Sequence, residues 1–238
     1  MTNIIIIQAR ISSSRFPGKV LMKLEEKPIL EHIVNFLKFS KFSEKIIVAT
    51  TTNQEDDKIK NLCQKLNIDC FRGNSDDVLK RYYECAKLYK GDLIVRVTAD
   101  NPLIDPTLVD EAIRICEKEN YDYVSNMIHE TFPVGYLVEV LKFKILEQIH
   151  IKNRDALTRE HVTHHIRMNP TMYNIREFFA PKNLQRPQWR LTIDYEKDYQ
   201  LMKKIFKKLY KSNKFIPYSD VVNFLDNNLE LLKINKNN

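Results

Sequence analysis

Residues Ile4, Ile5, Ile6 and Ile7 form an unbroken isoleucine run that starts after only three residues. A short, fully β-branched run of this kind reads as a strand buried on both faces of a parallel sheet. It opens directly into Gln8, Ala9, Arg10, three serines (Ser12, Ser13, Ser14), Arg15, Pro17, Gly18 and Lys19. Three cations, several hydroxyls and a glycine after a buried strand make a receptor for a polyanion. Backbone N–H groups and serines can donate to phosphate oxygens while the arginines and the lysine neutralise charge. Neither GxGxxG nor GxxxxGK[ST] is present, so the loop is not an ordinary dinucleotide turn or a P-loop. The competing reading is a solvated loop that is merely basic. Its place after a buried α/β strand, where such folds bind ligands, favours the ligand.

Strand and helix then alternate. Pro28 opens a helix with Ile29, Leu30, Ile33, Val34 and Leu37 on one stripe, and 45–50 (KIIVAT) is a second buried strand. A helix with Ile59, Leu62, Cys63 and Leu66 inward precedes a short strand at 69–71. Ser75 is placed to cap the next helix, with Asp76 and Asp77 in its first turn and Gly91 as its stop. The strand 92–97 runs into Thr98, Ala99 and Asp100, and Asp105 with Pro106 starts another helix. Further on, 121–125, 136–141, 173–178 and 189–193 read as strands, with helices at 143–150 and 158–168 between them. A lysine-faced helix carries Met202, Ile205, Phe206 and Leu209 inward, and Ser219 is expected to cap the last helix. The four glycines carry information by their scarcity: Gly18, Gly73 and Gly135 lie in polar stretches where backbone must bend or approach a ligand. The pattern predicts an α/β fold, a Rossmann-like, mostly parallel mixed sheet flanked by helices on both faces with a small antiparallel insert.

With 238 residues, 43% of them hydrophobic, one well-filled domain is expected over 1–234, with a substrate or dimerisation insert at about 130–178 and a frayed tail at 235–238. Four cysteines without CxxC spacing read as buried reduced thiols. The N-terminal apolar run is too short for a signal peptide and no window suits a membrane span, so a soluble, cytoplasmic protein is expected, with no membrane partner. The net charge of +7 owes much to Lys197, Lys203, Lys204, Lys207, Lys208, Lys211 and Lys214. A solvated lysine face explains them, and no specific nucleic-acid partner is expected.

Asp100, after the fourth strand, faces the same carboxyl edge as the basic loop. It reads as a Mg²⁺ ligand, since such sites combine one or two carboxylates with substrate phosphates. The alternative is an Asp-Asn-Pro turn. Asp194 reads as a second carboxylate of that site or as the cap of the lysine-faced helix, and Asp198 as a surface residue. His161, His164 and His165 fall on one helix face, yet no Cys/His set completes a zinc site. A helix near the substrate pocket, with Arg159 and Glu160 reaching inward, is the better reading. No Ser-His-Asp or Cys-His arrangement is present, and the serines lack a nucleophile elbow.

Seven strings occur in order: IIQAR-x4-R-x-PGK, IIVATTTN-x2-DD, FRG-x3-DVL-x-RYY, VR-x-TAD-x-P-LIDP, YDYVSN, REHVT and LTID-x3-D. Together they resemble the spore-coat polysaccharide SpsF-like cytidylyltransferases, relatives of the synthetases of CMP-activated acidic sugars, in the nucleotide-diphospho-sugar transferase superfamily. The resemblance implies that Gln8, Ala9, Arg10, Arg15, Lys19, Thr98 and Ala99 hold CTP and that Asp100 and Asp194 bind Mg²⁺. Arg10, Arg15, Lys19 and Asp100 would be the catalytic set. Arg72 and Asp77 would border the nucleotide, and Arg81, Gly135, Glu139, Arg159 and Glu160 an acidic or phosphorylated acceptor; a homodimer is a further expectation. A metal-dependent glycosyltransferase of the same fold, or a nucleotide-binding relative with altered catalysis, are the alternatives. Two departures stand out. Glu26 replaces a usual glycine in LEEKPIL, and FPVGYLVEV carries Val134 and Leu137 where relatives have arginine and aspartate.

Overall fold

The computed structural model describes residues 1–236. Its strands are β1 (Asn3–Gln8), β2 (Lys23–Leu24), β3 (Lys27–Pro28), β4 (Lys45–Thr51), β5 (Asp69–Gly73), β6 (Leu93–Thr98), β7 (Tyr123–Ser125), β8 (Glu139–Lys142) and β9 (Ile175–Glu177). The helices are α1 (Ile29–Leu37), α2 (Asp57–Leu66), α3 (Val78–Leu88), α4 (Pro106–Glu119), α5 (Phe143–Lys152), α6 (Ala156–His161), α7 (His164–Met168), α8 (Glu196–Leu209) and α9 (Tyr218–Asp226).

The isoleucine run becomes β1, paired in parallel with β4 on one side and β6 on the other. Among the described residues the main sheet has seven strands in the order β5-β4-β1-β6-β8-β7-β9, with β8 antiparallel to both neighbours. All four isoleucines are fully buried, each burial being worth about 1.5–3 kcal/mol. Alternation along β1 divides them. Ile5 and Ile7 pack with α1, α2, α4, α8 and α9 on one face, while Ile4 and Ile6 pack with α3, α5 and α7 on the other. The expected Rossmann-like mixed sheet with helices on both faces is what the chain forms. The separate antiparallel ribbon is the β2–β3 hairpin, whose turn residues Glu25 and Glu26 both have positive φ (44° and 69°). A two-residue hairpin turn demands that geometry, which accounts for the glycine that relatives place there.

Several local expectations give way to tertiary structure. Stretch 189–193 is not a strand: it makes an isolated bridge from Arg190 to Val134, and Ile193 donates instead to the Asp100 carbonyl. Asp77 rather than Ser75 caps α3, accepting from the Lys80 N–H at 2.9 Å. Ser219 lies inside α9, whose first N–H (Tyr218) is taken by Asp105, the residue that also caps α4. Helix 158–168 is broken at Val162. Gly91 is not the left-handed residue after α3, because Lys90 holds that conformation (φ 52°). The tail is not frayed from residue 235 as expected, since Asn235 is buried and donates to the Arg190 carbonyl and to Asp198, both at 2.9 Å. The last two residues of that expected tail lie outside the described residues.

Gly135 shows how tightly the 189–193 connector is stitched in. Its φ is +118°, and a Cβ there would stand 2.3 Å from the Leu191 carbonyl oxygen. Gly135→Ala is therefore expected to lower stability by about 3 kcal/mol or more, combining backbone strain with overpacking against main chain. Urea denaturation of the two proteins measures it.

Candidate active site

A cleft of about 350 Å³ opens at the carboxyl ends of β1 and β6, where α/β sheets bind ligands. Its first wall is the loop after β1. The loop closes on itself through the Gly18 N–H donating to the Ile11 carbonyl at 2.9 Å. It is pinned from below by Asp56, whose Oδ1 accepts the Ile11 N–H at 2.7 Å while Oδ2 holds Thr51. Asp56 is fully buried, a role that its place in a polar, acidic segment did not disclose. Thus anchored, the loop presents Arg10, Ser12, Ser13, Ser14, Arg15 and Lys19 to the cleft.

The opposite wall supplies carboxylates. Asp100 follows β6, and its Oδ1 accepts from the Thr98 hydroxyl at 2.6 Å. Lys19 Nζ lies 3.2 Å from Asp100 Oδ2, 3.1 Å from Asp194 Oδ1 and 2.5 Å from the Ile193 carbonyl. Asp194 also takes Arg15 at 2.8 Å and Arg190 at 2.5 Å. Burial raises the Asp194 pKa, but Lys19 and the hydrogen bonds from Arg190 and Lys19 outweigh it and hold the carboxyl below its ordinary value. Asp198, expected at the surface, is buried at 1% exposure. Its Oδ2 accepts the N–H groups of Asp194 and Tyr195, each at 2.9 Å, which fixes the start of α8 and sets the direction of Asp194. Tyr195, not Asp194, is the cap residue of α8.

A third wall holds Arg96, an arginine in the middle of a buried strand. Arg96 Nη1 donates to Glu139 Oε2 at 2.5 Å, and Nη2 lies 3.3 Å from Gln8 Oε1. Glu139 also accepts from the hydroxyls of Tyr123 (2.6 Å) and Thr163. Burial pushes the Glu139 pKa up, yet the Arg96 charge and these hydrogen bonds prevail and leave it below the ordinary glutamate value. Thr163 reaches Glu139 because Val162 adopts φ 51°, ψ −63°, a tight turn in which the Thr163 N–H donates to the His161 carbonyl at 2.5 Å. That conformation is strained for any β-branched residue, costing about 1–3 kcal/mol. The fully buried Val162 side chain holds it in place. The same turn separates His161 from His164 and His165, so the three do not share a helix face; His161 lines the cleft and His165 bonds Asn153.

The cleft therefore brings together Gln8, Ala9, Arg10, Arg15, Lys19, Arg81, Thr98, Ala99, Asp100, Glu160 and Asp194 from the residues anticipated in the sequence. Others lie elsewhere. Arg72 ties the Thr51 and Asn53 carbonyls to Asp57. Asp77 and Arg159 pair with each other, and Arg159 also bonds the His150 carbonyl, so neither reaches the cleft wall. Gly135 is packed on Leu191, and Glu139 stands behind Arg96. Arg96, Val20 and Val78 are lining residues that sequence reasoning did not single out, while His161 lines the cleft from the helix expected near the pocket. An arginine interrupting the apolar run LIVRV was the available signal for the first.

A mixed Rossmann-like sheet whose edge sets a serine-rich basic loop against paired carboxylates defines a nucleotidyltransferase. The family described as Cytidylyltransferase matches residues 4–232, and the chain belongs to that family. It is 40% identical over 98% of its length to the uncharacterized protein MJ1063 of Methanocaldococcus jannaschii, covering 93% of that protein. It is 35% identical to the spore coat polysaccharide biosynthesis protein SpsF of Bacillus subtilis, over 85% of each chain. A cytidylyltransferase structure from Leptospira borgpetersenii superposes with a TM-score of 0.92 at 31% identity, covering all of this chain and 98% of the other.

Removing the Glu139 charge is expected to destabilise the fold by about 3–5 kcal/mol at neutral pH, because Arg96 is left buried without its counter-ion. Since the folded Glu139 pKa is depressed, its contribution is complete above the unfolded value of about 4.3 and is lost as pH falls through the folded value. Urea titrations of wild type and Glu139→Gln should show a constant gap above about pH 5 that narrows on further acidification.

Proposed function

We propose that the protein transfers a cytidylyl group from CTP to a small acidic or phosphorylated sugar-like acceptor, with release of pyrophosphate, in the synthesis of surface polysaccharide. The observation that carries this reading is the facing of Arg10, Arg15 and Lys19 on one loop by Asp100 and Asp194 across the cleft. Family membership supports cytidine as the nucleoside, and kinship with a polysaccharide biosynthesis protein supports a sugar-like acceptor.

The two carboxylates fit Mg²⁺. They are hard oxygen donors, and both approach the one ammonium group of Lys19 within 3.2 Å, so they already face a common point of positive charge. Among the described residues no three His, Cys, Asp or Glu side chains gather as a metal cage. Two carboxylates completed by substrate phosphates is a usual magnesium arrangement. Asp100 and Asp194 would hold the ion, and when bound it supplies Lewis-acid charge withdrawal from the phosphates.

The chain's own groups then account for the transfer. The serines and backbone N–H groups of the 10–19 loop orient the phosphates, while Arg10 and Arg15 neutralise the charge that collects on the departing pyrophosphate. Lys19, held beside both aspartates, is placed to add an ammonium to that set. Thr98 fixes the Asp100 carboxylate through its hydroxyl. In-line attack by an acceptor oxygen on the α-phosphorus needs no protein nucleophile. Positioning and electrostatics supply the acceleration.

Asp100→Ala should remain folded, because Asp100 is partly exposed at the cleft edge. Its pyrophosphate release from CTP and acceptor should fall by about two to three orders of magnitude. Near-wild-type release would remove Asp100 from the mechanism, and release of free nucleotide from a nucleotide-sugar would point to glycosyl transfer instead. In a thermal-shift comparison of the four nucleoside triphosphates with magnesium, CTP should give the largest rise.

A further inference from the structure

The phosphate loop is not the cleft's only source of positive charge. Arg96 lines it from the strand side, with a side chain 13% exposed. A guanidinium carries five N–H donors. Two of its nitrogens make hydrogen bonds here, to Glu139 and, at a longer 3.3 Å, to Gln8, while its Nε has no partner among the described residues. The group is held from behind, and it has more N–H donors than the acceptors that meet it here.

The hold is rigid. Glu139 accepts from Arg96, Tyr123 and Thr163 together, and the last of these depends on the strained turn at Val162. That turn also delivers His161 to the cleft wall beside Glu160. An ion pair serving stability alone has little advantage over apolar side chains of similar volume, and the neighbours of Arg96 along its strand, Ile94, Val95 and Val97, are buried and apolar. Arg96 and Thr98 lie two residues apart on one face of β6, so Arg96 sits deeper than Thr98, which fixes Asp100. Arg10, Arg15 and Lys19 already serve a triphosphate; a further arginine beyond Asp100 calls for a second anion.

We propose that Arg96 binds the anionic group, carboxylate or phosphate, of the acceptor, with Glu139 and Thr163 as positioning residues that orient it. The proposal rests on the cytidylyltransferase reading and names the group by which its acceptor is recognised. A planar guanidinium with paired donors suits either oxyanion, and binds it more firmly than a neutral donor would.

Calorimetry on the full chain, saturated with magnesium and the α,β-methylene analogue of CTP to prevent turnover, tests it with two probes: 2-keto-3-deoxygluconate for the carboxylate and inorganic phosphate for the phosphate. Wild type should bind one of them. Arg96→Met should weaken that binding at least about 30-fold and Arg96→Lys about tenfold, with affinity for the CTP analogue changed less than about threefold. Because Arg96→Met strands a buried carboxylate, Arg96→Met/Glu139→Gln removes both charges and should show the same split. Probe affinity within about threefold of wild type in the double variant would overturn the proposal. So would loss of analogue affinity in parallel with the probe, which would make Arg96 a nucleotide contact, or binding of neither probe to wild type. Failure of wild type to bind the analogue would instead remove the cytidylyltransferase reading on which the proposal stands.

Discussion

The carboxylate of Asp194 is the point at which this structure is tied together. It gathers Arg15 and Lys19 from the loop after the first strand and Arg190 from the connector that precedes α8. None of the three could stand so close to the others without it, because like charges at such distances repel strongly where water is partly excluded. Asp198 supports the knot from beneath, accepting the main-chain N–H groups of Asp194 and Tyr195 and the amide of Asn235. Two aspartates one helical turn apart therefore divide the labour: the buried one builds the corner and the cleft-facing one balances the cations.

Much of this was legible in the residues. Four consecutive isoleucines can hardly be anything but a strand covered on both faces, and the change from apolar to basic after Ile7 marks the carboxyl edge of the sheet. Asp100 was legible for the same reason, as a carboxylate immediately after another buried strand. What stayed hidden depends on partners distant in sequence. Asp198 looks like one more charge on a lysine-rich helix until Arg190 and Asn235 are brought to it. Arg159 and Asp77 each read as cleft residues, but they satisfy one another across 82 positions of chain. The break at Val162 has no local cause, since valine neither caps nor turns; burial of its side chain and the pull of Glu139 on Thr163 impose it.

The cleft has unequal walls. Arg10 and Arg15 belong to an exposed loop, anchored at its base through Asp56 and the Gly18–Ile11 closure and at Arg15 by Asp194. Arg96 is fastened from behind by a carboxylate that is itself held by two hydroxyls. An exposed cationic rim suits phosphates whose positions shift as a bond breaks, whereas a buried, fixed guanidinium suits a group that must be held still. The departures at Val134 and Leu137 fall outside the cleft lining, so they change the packing around it rather than its surface chemistry.

The basic loop and its counter-ion are separated by 175 residues. During synthesis at about 5–20 residues per second, the arginines and Lys19 leave the ribosome some 9–35 seconds before Asp194 does. The parallel strands β1, β4, β5 and β6 can assemble in that interval, but until Asp194 arrives only Asp100 at the end of β6 offsets the cations of the pocket they border. The corner at Asp194 is thus among the last parts of the molecule to be finished, and the nascent chain spends that interval with a basic loop still short of its second counter-ion and open to whatever polyanion lies nearby, including the ribosomal RNA from which it emerges.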